Sequence, residues 1–203
     1  KLVAGLLKHP HVALLSDEIY SQMLYGGRQH LSLLQYPEIR DRLIMLDGWS
    51  KTYAMTGWRL GYAVWPDAAV EHVTRLCIND HSCVNAATQY AGLAALQGPQ
   101  DAVLAMVAQF DKRREIIVRE LNALPGFRCA DAAGAFYAFP NIEGTGMTSK
   151  EAQKRFLEEA GVATVSGTSF GAWGEVFGDR VIATAILDRV LHHAITINIR
   201  GNS

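Results

Sequence analysis

The chain has 203 residues, 49% of them hydrophobic and 19% charged, with 18 glycines and 6 prolines. That composition belongs to one large or two small folded domains and excludes disordered, collagen-like and disulfide-scaffold classes. Lys plus Arg total 19 against 20 for Asp plus Glu, a net charge of −1, so there is no basic excess to neutralise nucleic-acid phosphates. Cys77, Cys83 and Cys129 form no C-x-x-C pair, which argues against a zinc knuckle and suits a reducing cytoplasm.

The opening Lys1–Pro10 carries only a short apolar run and does not read as a signal peptide. Three short apolar runs follow: His11–Ser16, Leu43–Leu46 and Leu60–Trp65. Their lack of polar alternation suits strands buried on both faces of a sheet. Asp67 is placed to cap a helix reaching Asn79, and Asn85 a second helix that stops at Gly98. The least charged window, Ser82–Gln100, is broken by Asn85, Thr88, Gln89 and Pro99 and is not a membrane span. Val103, Val107, Phe110, Ile117, Leu121 and Leu124 make one helical stripe, interrupted by Arg114 and ended by Pro125-Gly126. Phe127–Ile142 reads as strand. Thr148 with Glu151 is a capping box that opens a helix from Ser149 to Ala160, stopped by Gly161. Val162–Val165 and Arg180–Ile186 are further strand candidates. The whole predicts an α/β protein: residues 1–100 from a larger sheet domain, a connecting helix over 101–124, and a small α+β domain over 125–203.

Two stretches carry the chemistry, Ser16–Tyr20 and Gly48–Tyr62. Each follows a predicted buried strand, where ligands bind in open α/β sheets. Asp17 closes an apolar run, and a carboxylate buried there requires a cationic or proton-donating partner. Lys51 offers an amine that acts as a nucleophile toward a carbonyl once it loses solvation. Arg59 offers a two-pronged clamp for a phosphate, Ser50 a hydroxyl and Tyr20 a phenol. Together they suit an aromatic phosphate ester whose ring nitrogen meets a carboxylate and whose aldehyde meets an amine, as in pyridoxal 5′-phosphate.

These residues resemble the motifs of the fold-type I pyridoxal-phosphate aminotransferases, the aspartate aminotransferase superfamily. The resemblance rests on Asp17 with Tyr20, on Ser50-Lys51, on Ala54-Met55-Thr56-Gly57-Trp58-Arg59, and on Gly134-Ala135-Phe136-Tyr137. It implies a mostly parallel-sheet large domain, of which this chain resembles the C-terminal portion, and a small C-terminal domain. It implies that Lys51 carries the cofactor as an internal aldimine and shuttles protons between substrate Cα and cofactor C4′. It implies that Asp17 meets the ring nitrogen, Tyr20 the ring O3′, and Arg59 with Ser50 the phosphate. The implied reaction moves an amino group between an amino acid, aspartate-like by preference, and a 2-oxo acid. The implied protein is a cytoplasmic homodimer. This chain by itself is expected to hold the cofactor poorly, because the rest of the phosphate site comes from the other half of such proteins.

The tail departs from the pattern. Phe170-Gly171 and Gly174-Glu175 fit, but Asp179 stands where the family carries the arginine for the substrate carboxylate, and Arg180 follows one residue later. A one-residue shift turns a strand side chain to the other face unless a bulge restores it, so Arg180 is the candidate carboxylate ligand. Alternatives are a β-eliminating lyase on the same cofactor and a non-catalytic sensor module of a transcription regulator. His9 and His11 read as loop residues and Lys112–Arg114 as a wet helix face, with Arg114 bending toward the core edge. Cys77, Cys83, Tyr53 and Trp58 read as packing residues, and Phe136–Phe139 as core from which only Tyr137 reaches the site.

Overall fold

A computed structural model describes residues 2–167 of the chain. These residues form two compact units, one made of 2–111 with Ala133–Phe136, the other of 112–132 with 137–167.

The first unit is built on a three-stranded sheet of β1 (Leu14–Asp17), β2 (Leu43–Gly48) and β3 (Gly61–Val64), in that order. β1 and β2 are parallel, with Leu14 opposite Leu43 and Asp17 opposite Leu46. β3 runs antiparallel to β2, with Met45 opposite Val64 and Gly48 opposite Gly61. The three apolar runs are therefore strands, but only the middle one is covered throughout. β1 emerges at Asp17, and β3 begins with Gly61 and Tyr62 exposed. The core gathers Met23, Tyr25, Ile39, Leu43, Met45 and Met55 around β2. Between α1 (Leu2–Leu6) and β1 the chain is held by Arg42. Its Nη1 donates to the carbonyls of His9 (2.7 Å) and Val12 (2.9 Å), and its Nη2 to that of Leu6 (3.0 Å). His9 and His11 stay exposed, edge to face at 6.2 Å.

α2 (Asp67–Asp80) starts one residue earlier than a cap at Asp67 would give. Pro66 is its N-cap and Asp67 its first helical residue, where a carboxylate faces the positive end of the helix. α3 (Ala86–Gln97) is capped by the Asn85 side chain, which accepts from the amides of Ala87 and Thr88, and Gly98 ends it. Gly92 lies inside α3 because a Cβ there would sit 2.3 Å from Leu60 Cδ2 and 3.3 Å from the Trp49 ring. α4 (Asp101–Ala123) contributes to both units. Its sheltered stripe runs Val103, Val107, Phe110, Arg114, Val118 and Leu121, while Ile117 and Leu124 are exposed.

In the second unit, Asn122 stitches the end of α4 to the chain beyond it. Its side chain donates to the Cys129 carbonyl and accepts from the Cys129 amide, both at 2.9 Å. Arg114 bends toward the core edge as expected, its guanidinium pairing with Asp131. Phe127–Ile142 is not one strand. Only β4 (Arg128–Cys129) and β5 (Pro140–Asn141) pair, and Ala135 has φ 60°, a left-handed conformation that no strand continues through. α5 (Ser149–Ala160) has the full capping box of Thr148 and Glu151, and Gly161 closes it in the left-handed conformation. Val162–Val165 forms no strand, and Val165 is 84% exposed. The Arg180–Ile186 strand and Arg180 itself lie outside the described residues. Among those residues no helix is long and apolar enough to cross a membrane.

Arg42→Ala removes three charge-assisted bonds at once. It is expected to cost about 2 kcal/mol in urea unfolding, with amide exchange accelerated first in residues 2–13; Arg42→Lys should recover only part of the loss.

Candidate functional site

The parallel pairing of β1 and β2 brings their carboxyl ends side by side, and both chemistry-bearing stretches start there. The amide of Glu18, one residue past β1, donates to the Leu46 carbonyl of β2 at 2.8 Å, extending the pairing beyond the strand itself. The buried acid at this end is Glu18, 6% exposed, and not Asp17. Alternation decides it: consecutive residues leave the strand on opposite sides. The Glu18 carboxylate accepts from His30 Nε2 (2.8 Å), the Leu33 amide (3.1 Å) and the Ser16 hydroxyl (3.0 Å). Burial by itself would raise this carboxyl. The bonds from His30, Ser32, Leu33 and Ser16 outweigh it and hold the group below the ordinary glutamate range. Asp17 is exposed, and among the described residues its Oδ1 accepts only a local bond from the Ile19 amide at 3.2 Å.

Lys51 follows β2 in a tight loop. The Trp49 carbonyl accepts from the amides of Tyr53 and Met55, and the Lys51 carbonyl from that of Ala54. The loop is anchored by the Trp49 indole, which donates to the Gly92 carbonyl of α3 at 3.0 Å, and by Thr52, 4% exposed. The Ser50 carbonyl accepts from the Thr56 hydroxyl at 2.8 Å, tying the front of the loop to its return. Arg59 ends that return, exposed, with φ 55° and ψ 49°, and its Nη1 donates to the Thr56 carbonyl at 3.0 Å. Trp58 beside it is 50% exposed and does not pack around the loop as expected.

Three non-glycine residues in the left-handed region lie in this unit beside Lys51 in sequence or space: Ala54, Arg59 and Ala135. Each costs about 1–2 kcal/mol, and strain of this kind persists only where surrounding bonds over-determine it, as at functional sites.

The Lys51 amine is half-buried between two rings. Nζ stands 5.8 Å from the centroid of Tyr20 and 5.1 Å from that of Phe136, and the two rings meet edge to face at 5.3 Å. Sequence reasoning assigned this aromatic cluster to the core and chose Tyr137 as its one residue at the site. Phe136 is the residue beside the lysine, whereas Tyr137 is 62% exposed. The Gly134-Ala135 pair was the available signal. Gly134 approaches Met23 so closely that a Cβ would sit 2.7 Å from its carbonyl oxygen. That approach lets the Ala135 amide donate to Met23 and aims the next side chain back at β1.

A cavity of about 690 Å³ opens beyond the same strand ends, lined among others by Asp47, Trp49, Thr52, Tyr53 and Tyr62. Asp17, Tyr20, Ser50, Lys51 and Arg59 do not line it. Burial pushes the Asp47 carboxyl up, and the charges of Glu18 and Asp17 add to the rise. The Gly48 amide at 2.7 Å and the Tyr62 hydroxyl at 3.4 Å oppose it.

Comparison with known proteins agrees on one family. The model of "Aminotransferase class I and II" matches residues 1–187, leaving out 188–203. The aspartate aminotransferase of Geobacillus stearothermophilus is 41% identical over 167 residues, 79% of this chain and 42% of that protein. The aspartate aminotransferase of Pyrococcus horikoshii is 36% identical over 177 residues, 86% of this chain and 45% of that protein. The crystal structure of an aromatic aminotransferase from Pyrococcus horikoshii superposes with a TM-score of 0.78 at 35% identity, covering 84% of this chain and 46% of that one. The chain thus spans less than half the length of these relatives.

Glu18→Gln keeps the shape but removes the charge that gathers four donors, and should destabilise the protein by about 1–3 kcal/mol at neutral pH. Because the native carboxyl lies below its unfolded value, its contribution is complete above the ordinary glutamate range and is lost as pH falls through the native value. Denaturation across a pH series should therefore show the gap between wild type and variant closing on the acid side only.

Proposed function

From its membership of the class I and II aminotransferase family, we propose that this chain provides the pyridoxal-phosphate site of an enzyme moving an amino group from an amino acid to a 2-oxo acid. The observation that carries the proposal is the parallel β1–β2 pair. It ends an outward-facing carboxylate and an aromatic-walled amine at one edge of the sheet. The donor set fits pyridoxal 5′-phosphate: an open acid for a ring nitrogen, an amine for an aldehyde, and a guanidinium with a hydroxyl for a phosphate. Aspartate is the favoured amino donor, from the names of relatives such as those above. The three free cysteines suit a reducing cytoplasm, and the reading includes a homodimer, as the family resemblance implies.

When bound, the cofactor supplies an aldehyde and a protonated ring that takes up the electron pair released at the substrate Cα. Asp17 accepts the proton-bearing ring nitrogen and, as an anion, keeps that proton in position. Tyr20 sits three residues on with its ring against the lysine, and its phenol would meet the ring oxygen. Lys51 would hold the cofactor through Nζ and, with its amine free, would serve as the general base and acid that moves the proton between Cα and C4′. Arg59 and Ser50, at either end of the lysine loop, bind the phosphate and so keep Nζ in register with the reacting carbon. Arg180 is retained as the proposed ligand of the substrate carboxylate.

Incubating the full-length protein with aspartate, 2-oxoglutarate and pyridoxal phosphate should yield glutamate, whereas residues 1–203 alone are expected to be inactive. Borohydride reduction followed by peptide mapping should put the label on Lys51. Absence of glutamate, or a label on another lysine, overturns the proposal.

Arg59→Gly relieves a left-handed residue and removes a phosphate ligand together. It is expected to raise unfolding stability by about 1 kcal/mol while weakening pyridoxal-phosphate affinity at least tenfold, read by thermal melting and by cofactor titration.

A further inference from the structure

Phe136 stands at this site although its side chain carries no reacting group. Its ring is braced more heavily than a surface aromatic requires. Phe110 of α4 stacks on it at 5.5 Å with planes 28° apart, and Tyr20 meets it edge to face. The backbone leading to it is pinned as well. Gly134 bridges Leu24, the Ala135 amide donates to the Met23 carbonyl at 2.8 Å, and the Tyr25 hydroxyl donates to the Ala135 carbonyl. Tyr25 is itself buried, and its amide donates to Ala133 at 3.0 Å. All of this holds Ala135 in the left-handed conformation from which Phe136 turns toward Lys51.

The outcome is a ring whose position is set before any ligand arrives, with the Lys51 Nζ 5.1 Å from its centre. An aromatic face attracts an ammonium through its quadrupole and offers it no hydrogen bond, so the amine is drawn to one location without being tied up. Tyr20 supplies the second wall. Arginine or an acid in place of Phe136 would repel the amine or hold it in an ion pair; a phenyl ring does neither.

We propose that Phe136 is a positioning residue for Lys51: with Tyr20 it forms a two-ring clamp that holds the Lys51 side chain beside the Asp17 strand end, placed to meet the cofactor carbonyl and sheltered from other electrophiles. The inference rests on the proposed cofactor role of Lys51, and its test separates the two. Phe136→Leu keeps apolar bulk and removes the ring, Phe136→Met does the same with a more adaptable chain, and Phe136→Tyr keeps the ring. Two rates are measured on cofactor-free full-length protein of each variant, with thermal melting as the check on folding. One is borohydride-trapped capture of pyridoxal phosphate at Lys51; the other is acetylation of Lys51 by acetic anhydride, quantified by peptide mass spectrometry.

Loss of the clamp should slow capture roughly threefold and speed acetylation roughly threefold, with Phe136→Tyr restoring both. Opposite movement of the two rates is the signature that general loosening would not produce. Equal rates in wild type and Phe136→Leu, movement of both in one direction, or failure of the tyrosine variant to restore them overturns the clamp. If wild-type protein captures no pyridoxal phosphate at Lys51, the cofactor role fails, and acetylation rates unchanged by Phe136→Leu would then remove the clamp as well. If Phe136→Leu does not fold, the same rates are read on Phe136→Met.

Discussion

Parallel pairing between β1 and β2 is the constraint on which the rest of this structure depends. Parallel strands present the same chemical end to the same side, so whatever follows each of them meets its neighbour. Leu46 is the pivot. It pairs with Asp17 in register and accepts the Glu18 amide one step later. A slip of one residue would exchange Asp17 and Glu18, burying the acid that now faces outward and exposing the one that binds four donors. Glu18 therefore secures the register that leaves Asp17 open.

The lysine loop obeys a second constraint, that a reactive amine needs a rigid surround. Trp49 fastens the loop to α3, and Gly92 provides the space that the indole and Leu60 occupy. Left-handed residues at 54 and 59 fold the chain back sharply enough for β3 to return antiparallel along β2. The strain is offset by backbone bonds within the loop and by the buried Thr52 and Met55 beneath it. Stability has been spent here on shape, as is common where geometry serves chemistry.

Asp47, on the wall of the 690 Å³ cavity, brings a separate electrostatic constraint. Three carboxylates, Asp17, Glu18 and Asp47, lie near enough for their charges to act on one another. They resolve the repulsion differently: Glu18 is satisfied by donors, Asp17 faces outward, and Asp47 is pushed toward its neutral form by burial. Tyr62, opposite Asp47 in the β2–β3 register, is 48% exposed, yet partial desolvation of its hydroxyl and the neighbouring Asp47 hold it protonated to higher pH.

Local chemistry was enough to read many elements from the residues. The three strands, the Asn85 cap, the Thr148–Glu151 capping box, α4 and the two motif stretches each follow from bonds or periodicities a few residues long. Contacts between distant segments were not legible in the same way. Burial of Glu18 depends on His30 and Leu33 reaching back to it, and the ion pair of Arg114 depends on Asp131. Phe127–Ile142 breaks as a strand because Ala133 and Ala135 bond to Tyr25 and Met23, more than a hundred residues earlier. That same long-range bonding carries Phe136 to the lysine. The sequence by itself determined which groups stand at the strand ends, because strand, turn and cap are local. Only the tertiary structure decided which acid is buried and which ring faces the amine, because both depend on segments that meet only when the chain has folded.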